Sequence, residues 1–111
     1  MIMTVEKLAQ TLNWKVVSLS EPDREITGGY CGDLLSWVMG RAESGDMWFT
    51  IMSNMNVVAV AHLTDVACVV FTEGVMPDAP VIEAAKRNGI NLIACEEPTY
   101  TASVKASELL K

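Results

Sequence analysis

Apolar residues recur along this chain at two periods, and the switching between them predicts its elements. Val5, Leu8, Ala9 and Leu12 fall at i, i+3, i+4 and i+7, one stripe on a helix whose start Thr4 is placed to cap. Residues 14–17 read as a strand, and residues 18–25, with Pro22 and several charges, as a loop. Asp33 precedes the apolar pattern Leu34, Leu35, Val38 and Met39, which Gly40 closes, so a second helix is expected with the Asp as its cap and the Gly as its end. Gly45-Asp46 is a turn signal before Met47-Trp48-Phe49-Thr50-Ile51-Met52, continuous enough in apolar character for a strand buried on both faces. Val57-Val58-Ala59-Val60-Ala61 is β-branched enough for a strand. Asn56 is nonetheless placed as a helix cap, and a parallel sheet needs a crossover before the strand-like Ala67-Cys68-Val69-Val70-Phe71, so a helix is expected. Pro77-Asp78-Ala79-Pro80 opens a helix through Val81, Ile82 and Ala85 that ends at Gly89, and residues 90–95 form another strand. Pro98 and Thr99 start a last helix with Ala102, Ala106, Leu109 and Leu110 on one face.

Alternating strands and helices with no linker-like tract predict an α/β fold: a single compact domain over residues 1–111, with a largely parallel sheet flanked by helices. A chain of 111 residues that is 50% hydrophobic and only 20% charged carries more apolar surface than one small core hides, which implies a homodimer. The net charge of -6 opposes a phosphate backbone, so no nucleic-acid partner is expected. The longest uncharged stretch, residues 47–64, has about the length of a membrane span, but Ser53, Asn54 and Asn56 interrupt it at a depth where unpaired amides are costly. No membrane partner is expected, and the first residues lack a signal-peptide pattern, which implies a cytoplasmic protein. Cys31, Cys68 and Cys95 are scattered and His62 has no second His at ligand spacing, so neither a disulfide framework nor a bound metal or other cofactor is expected.

Candidate chemistry concentrates in Asp23-Arg24-Glu25-Ile26-Thr27-Gly28-Gly29-Tyr30, where a charged turn runs into paired glycines. Without a Cβ, such a loop lets backbone N–H groups approach a ligand, and the Arg24 guanidinium matches phosphate geometry. Ligands in open α/β sheets bind beyond the carboxyl ends of the strands, where this loop is expected to meet two further polar turns, Ser53-Asn54-Met55-Asn56 and Thr72-Glu73-Gly74. The candidate ligand residues are therefore Asp23, Arg24, Thr27, Gly28, Gly29 and Tyr30, with Asn54, Asn56, Thr72, Glu73 and Gly74 in a second tier. Local explanations compete: glycines make tight turns and Asn and Asp cap helices. Asp23 and Arg24 either pair with each other or meet a ligand, and Tyr30 either stacks on a ring or covers the core. Cys31 stands beside the glycines near a helix start that would lower a thiol pKa, against simple packing of the side chain.

The segment resembles the signature of the DRTGG domain, a small α/β module named for an Asp-Arg-Thr-Gly-Gly motif. Here Glu25 and Ile26 stand between Asp23-Arg24 and Thr27-Gly28-Gly29, and the likeness runs from Thr4 to Leu110. Such domains are similar to the amino-terminal domain of HPr kinase/phosphorylase and occur beside CBS domains and in some phosphotransacetylases. The chain has no G-x-x-x-x-G-K-[ST] loop, so phosphate transfer does not carry over with the resemblance. What is implied is a non-catalytic regulatory or ligand-sensing module, with a nucleotide or other phosphorylated small molecule at the Gly-Gly segment. The alternatives are a ligand-free dimeric adaptor with a protein partner in a redox or hydrogenase-type complex and, third, a small enzyme; no catalytic residues are assigned.

Overall fold

Thr4 caps the first helix through its side chain, which accepts from the Lys7 amide at 3.2 Å, and the stripe behind it is buried at Val5, Leu8 and Ala9. The computed structural model describes residues 2–111. In chain order the elements are α1 (Val5–Leu12), β1 (Lys15–Ser18), β2 (Gly28–Cys31), α2 (Leu35–Arg41), β3 (Asp46–Thr50), α3 (Met55–Thr64), β4 (Cys68–Phe71), α4 (Ala79–Arg87), β5 (Leu92–Ala94) and α5 (Thr99–Glu108). The strands form one five-stranded sheet in the order β1-β5-β4-β3-β2, parallel from β2 through β5, with β1 antiparallel against β5.

Side-chain alternation divides the core between the two faces of that sheet. Trp48, Val69, Phe71 and Leu92 face α2, α3 and α4, whereas Met47, Phe49, Val70 and Ile93 face α1 and α5. β3 and β4 are buried at every position because both faces are covered, which is why Met47-Trp48-Phe49 and the whole of β4 are apolar without alternation. Trp48 is wholly buried, and its Nε1–H donates to the Gly32 carbonyl at 2.8 Å, so its polar atom is not stranded in the core.

Residues 57–61 are helical as expected, but the cap of α3 is Asn54, whose side chain accepts from the Asn56 amide at 3.0 Å; Asn56 lies inside the first turn. α2 departs further from expectation. Its N-cap is Leu34, with no side-chain cap bond, and Gly40 lies within the helix, which ends at Ala42. The Asp33 carboxylate instead accepts from the Thr50 hydroxyl at 2.8 Å and the Ile51 amide at 2.9 Å, so a tertiary contact with the end of β3 outcompetes the local cap. Gly28 and Gly29 form no loop: they begin β2, with Gly28 in register with Asp46 and Gly29 with Met47.

The three crossovers β2–α2–β3, β3–α3–β4 and β4–α4–β5 step across the sheet in one direction, which places their helices together on one face. The parallel strands never reverse their order. The sheet therefore lacks the switch-point crevice that concentrates ligands in doubly wound folds.

Candidate functional site

The strand directions separate the expected site residues. β1 leads into the 18–25 loop at the amino ends of the parallel strands, so Asp23, Arg24, Thr27 and Gly28 lie at that end. Asn54, Asn56, Thr72, Glu73 and Gly74 follow β3 and β4 at the opposite, carboxyl end. The expected gathering of three polar turns does not occur: the second-tier residues share one end of the sheet, and the Asp23–Gly28 segment occupies the other. The cause is the strand identity of Gly28-Gly29-Tyr30, which places the residues before it at the start of β2.

The amino-end loop is built by long-range bonds. Asn91, buried at the start of β5, donates from Nδ2 to the carbonyls of Glu21 at 2.8 Å and Ala67 at 3.0 Å, while its Oδ1 accepts from the Glu21 amide at 2.8 Å. The carbonyls of Arg24 and Pro22 accept from the Val5 and Glu6 amides at 3.0 and 3.1 Å, which satisfies donors that the first turn of α1 leaves free. Arg24 is thereby presented beside the end of α3. Its guanidinium donates to Asp65 Oδ1 at 3.0 Å, to the Asp65 carbonyl at 2.8 Å and to Ser44 Oγ at 3.4 Å, and Ser44 Oγ donates to Asp65 Oδ2 at 2.5 Å. The partner of Arg24 is thus Asp65, not Asp23. The Arg24 bond and then the Ser44 bond hold the Asp65 carboxyl below the ordinary carboxylate range.

Gly28 has a structural reason to be glycine: a Cβ there would stand 2.8 Å from Asp46 Oδ1. Gly29 has none of that kind, since its nearest neighbours, Met47 O and the Met47 and Phe49 side chains, lie at 3.5 and 3.7 Å from the same position. Thr27 is exposed and its amide donates to the Gly45 carbonyl at 3.0 Å; Tyr30 is half-buried and packs against the core on the α2–α4 face.

At the carboxyl end, polar groups are committed to each other. The Thr72 and Thr99 hydroxyls are bonded at 2.6 Å, and the Glu73 carboxylate accepts from the Thr99 amide at 3.1 Å, occupying the start of α5. Glu73 itself has φ 61°, an uncommon left-handed conformation for a side chain of its size. Glu97 is paired with Lys105 and accepts from Trp14 Nε1 at 2.8 Å, and these two contacts hold its carboxyl low. Asp33, Glu73, Asp78, Glu96 and Glu97 lie at this end with Lys15 and Lys105, whereas the amino end, where α2 and α4 finish, gathers Arg24, Arg41, Lys86 and Arg87 among its own carboxylates Glu21, Asp23, Glu25, Glu43, Asp46 and Asp65.

Cys68 and Cys95 are buried as packed groups, whereas Cys31 is exposed. Burial pushes Cys68 up to about 12 and also raises Cys95. Cys31 is raised as well, first by burial and further by Asp33, opposite to the lowering expected from a helix start. Among the described residues no group of three or more His, Cys, Asp or Glu side chains is arranged to hold a metal ion, and no helix is long and apolar enough to cross a membrane. Asn91, Asp65 and Ser44 were not singled out by the sequence. Asn91 had a signal, a lone amide inside an apolar strand run; Asp65 and Ser44 read as ordinary turn residues.

These features define a three-layer α/β domain whose parallel strands are wound in one direction. No protein-family model matches the chain, and no curated protein matches it. Among solved structures it is similar to the CBS and DRTGG domains of the regulatory region of Clostridium perfringens pyrophosphatase, complexed with the activator diadenosine tetraphosphate. The TM-score is 0.77 at 20% sequence identity, over 93% of this chain and 45% of that one. The chain thus spans less than half the length of that structure, and at this identity the likeness establishes a shared fold. The fold is DRTGG-like, in agreement with the resemblance that runs from Thr4 to Leu110.

Proposed function

We propose that this chain is a non-catalytic regulatory module, homodimeric, that binds a nucleotide or other phosphorylated small molecule at the amino end of its sheet. The observation that carries this reading is the fold shared over 93% of the chain with a regulatory region whose structure contains a dinucleotide activator. Guanidinium placement favours the amino end. Both ends carry carboxylates, but Arg24, Arg41 and Arg87 all lie at the amino end, whereas the carboxyl end sets five carboxylates against Lys15 and Lys105, so Asn54, Asn56, Thr72, Glu73 and Gly74 have no guanidinium beside them for a phosphate. Arg24, with Asp23, Thr27, Gly28, Gly29 and Tyr30 along the same segment, is the better anchor. Its present partner Asp65 has a side chain 61% exposed, and a ligand phosphate can replace that carboxylate on the guanidinium without leaving a buried charge behind. The bonds already made by Glu73, Glu97 and Asp33 to neighbouring amides and side chains favour a non-catalytic role.

The test is calorimetry and thermal unfolding with adenine mono- and dinucleotides, diadenosine tetraphosphate included, on the wild type and Arg24→Ala. A ligand at about 100 times its Kd raises stability by roughly 2.7 kcal/mol, and loss of the charged bond in the variant should weaken binding by about 1.5–3 kcal/mol while the fold stays intact. Equal affinity in both proteins would place the ligand elsewhere. No binding across the panel would refute the sensing role and leave the ligand-free adaptor, which the uncharged outer face of α3 favours.

A further inference from the structure

We propose that the outer face of α3 is where a second copy of this chain docks, helix layer against helix layer. The proposal rests on the homodimeric part of the reading above and not on its ligand. α3 differs in kind from the other four helices of the described chain: it alone carries no Asp, Glu, Lys or Arg. Its inner side buries Val57, Val58, Val60 and Ala61, yet an apolar ridge of Met55, Ala59 and Leu63 at i, i+4 and i+8 runs along its outer side beside the exposed Asn56 and His62. Leu63 is 67% and Met55 45% exposed. An exposed apolar ridge on an uncharged helix marks an interaction surface.

The surface is self-complementary in shape. Beside the ridge of Met55, Ala59 and Leu63 runs a groove of about 490 Å³ between α3 and α4, whose far wall is Ala84, Arg87 and Asn88. Two small residues, Ala59 and Ala84, leave space for a ridge from outside. Ridge and groove on one face are what a two-fold interface requires, because each copy presents both halves.

Charge and area favour a second copy over an unrelated partner. The chain carries a net charge of -6, so most faces of two copies repel, but no carboxylate lines this groove and Arg87 is its only fully charged group. α3 is the middle helix of its layer, packed against both α2 and α4, so a partner seated on it also covers parts of those two. Helices of 7, 10 and 9 residues with axes about 8–10 Å apart present an outline of roughly 10–15 by 30 Å, about 300–450 Å² in projection, so the corrugated surface of the whole layer, and not α3 alone, is what approaches the roughly 800 Å² that each side of a stable interface buries. α2 adds apolar surface to it through Met39, which is 43% exposed.

Light scattering coupled to gel filtration at about 100 μM, on the wild type, Leu63→Glu, Ala59→Arg and Tyr100→Glu, tests the assignment. The wild type is expected at twice 12.1 kDa. Leu63→Glu and Ala59→Arg, both at exposed positions, should weaken the dimer at least 100-fold and elute as folded monomers with unchanged circular dichroism. Tyr100→Glu, at a site 80% exposed on α5 across the sheet, should remain dimeric. A wild type that is monomeric at this concentration overturns both the dimer and the surface. A dimer that survives Leu63→Glu and Ala59→Arg keeps the dimer and overturns this surface.

Discussion

Replacing Gly28 and Gly29 one at a time by alanine separates the two physical reasons for a glycine pair. At Gly28 the new Cβ would stand 2.8 Å from Asp46 Oδ1, closer than real Cβ contacts allow. Asp46 has little freedom to retreat: it is buried, and its other oxygen accepts from the Glu43 amide at 2.9 Å in the turn that leads into β3. Moving it costs that charge-assisted bond, about 1.5–3 kcal/mol, while the lower entropy of the unfolded alanine chain returns about 0.4–1 kcal/mol. The net expectation for Gly28→Ala is a loss of about 0.5–2.6 kcal/mol. At Gly29 the nearest atoms lie at 3.5 and 3.7 Å, ordinary contact distance, so only the favourable entropic contribution remains and Gly29→Ala should be neutral or stabilising by about 0.4–1 kcal/mol. Urea unfolding read at constant m-value measures the difference as a shift in midpoint. Equal midpoints for the two variants would refute the close-approach argument and return Gly28 to the role of a ligand-facing glycine.

Asn91→Ala should cost about 2–3 kcal/mol, since it strands a buried Ala67 carbonyl and frees the Glu21 amide and carbonyl, and the Glu21 amide should then exchange hydrogen faster than in the wild type; a midpoint within error of the wild type would show that the 18–25 loop is held by other contacts. The Arg24 and Ser44 bonds lower the folded-state pKa of Asp65, so their stabilisation is fully present above the ordinary carboxylate pKa near 4 and is lost as pH falls through the lower folded value. Because the pair is largely exposed, it contributes at most about 1 kcal/mol. Urea midpoints measured from about pH 5 to pH 2 should therefore fall more in the wild type than in Asp65→Asn, and parallel curves would remove the pair from the acid response.

The helices and central strands were legible where periodicity and the demands of a parallel sheet could be read together. The helix at 57–61 is the clearest case: its β-branched residues argue for a strand, and only the need for a parallel crossover between two buried strands decides correctly. Gly28 and Gly29 misled because paired glycine is a turn signal, whereas an edge strand has one ladder to keep and tolerates residues that a central strand does not. Asp33 and Gly40 misled for a different reason: their local signals are genuine cap chemistry, but Asp33 has stronger partners in Thr50 and Ile51, many residues away. The candidate site was half legible. Its segment was visible as sequence, but its place at the amino end depends on the register of β2 with β3, and the Asn91 clamp joins residues 70 positions apart that no local window compares.

Asp65 is where the two proposed surfaces meet. It is the C-cap of α3, held at φ 59°, and its carboxylate and carbonyl both accept from Arg24 in the loop. A phosphate that takes the guanidinium must release the end of the same helix whose outer face is proposed to carry the second copy. Linkage then makes the two events reciprocal: whatever factor the ligand applies to dimer affinity, dimerisation applies to ligand affinity. The size of that factor is bounded by what Asp65 contributes to α3, an exposed pair and one helix end, which is on the order of 1 kcal/mol or about fivefold. A module built this way would bias an assembly by a modest factor, which suits regulation of a partner domain better than an all-or-none switch, since the latter needs about 5.5 kcal/mol of differential binding that no contact at this end of the sheet supplies.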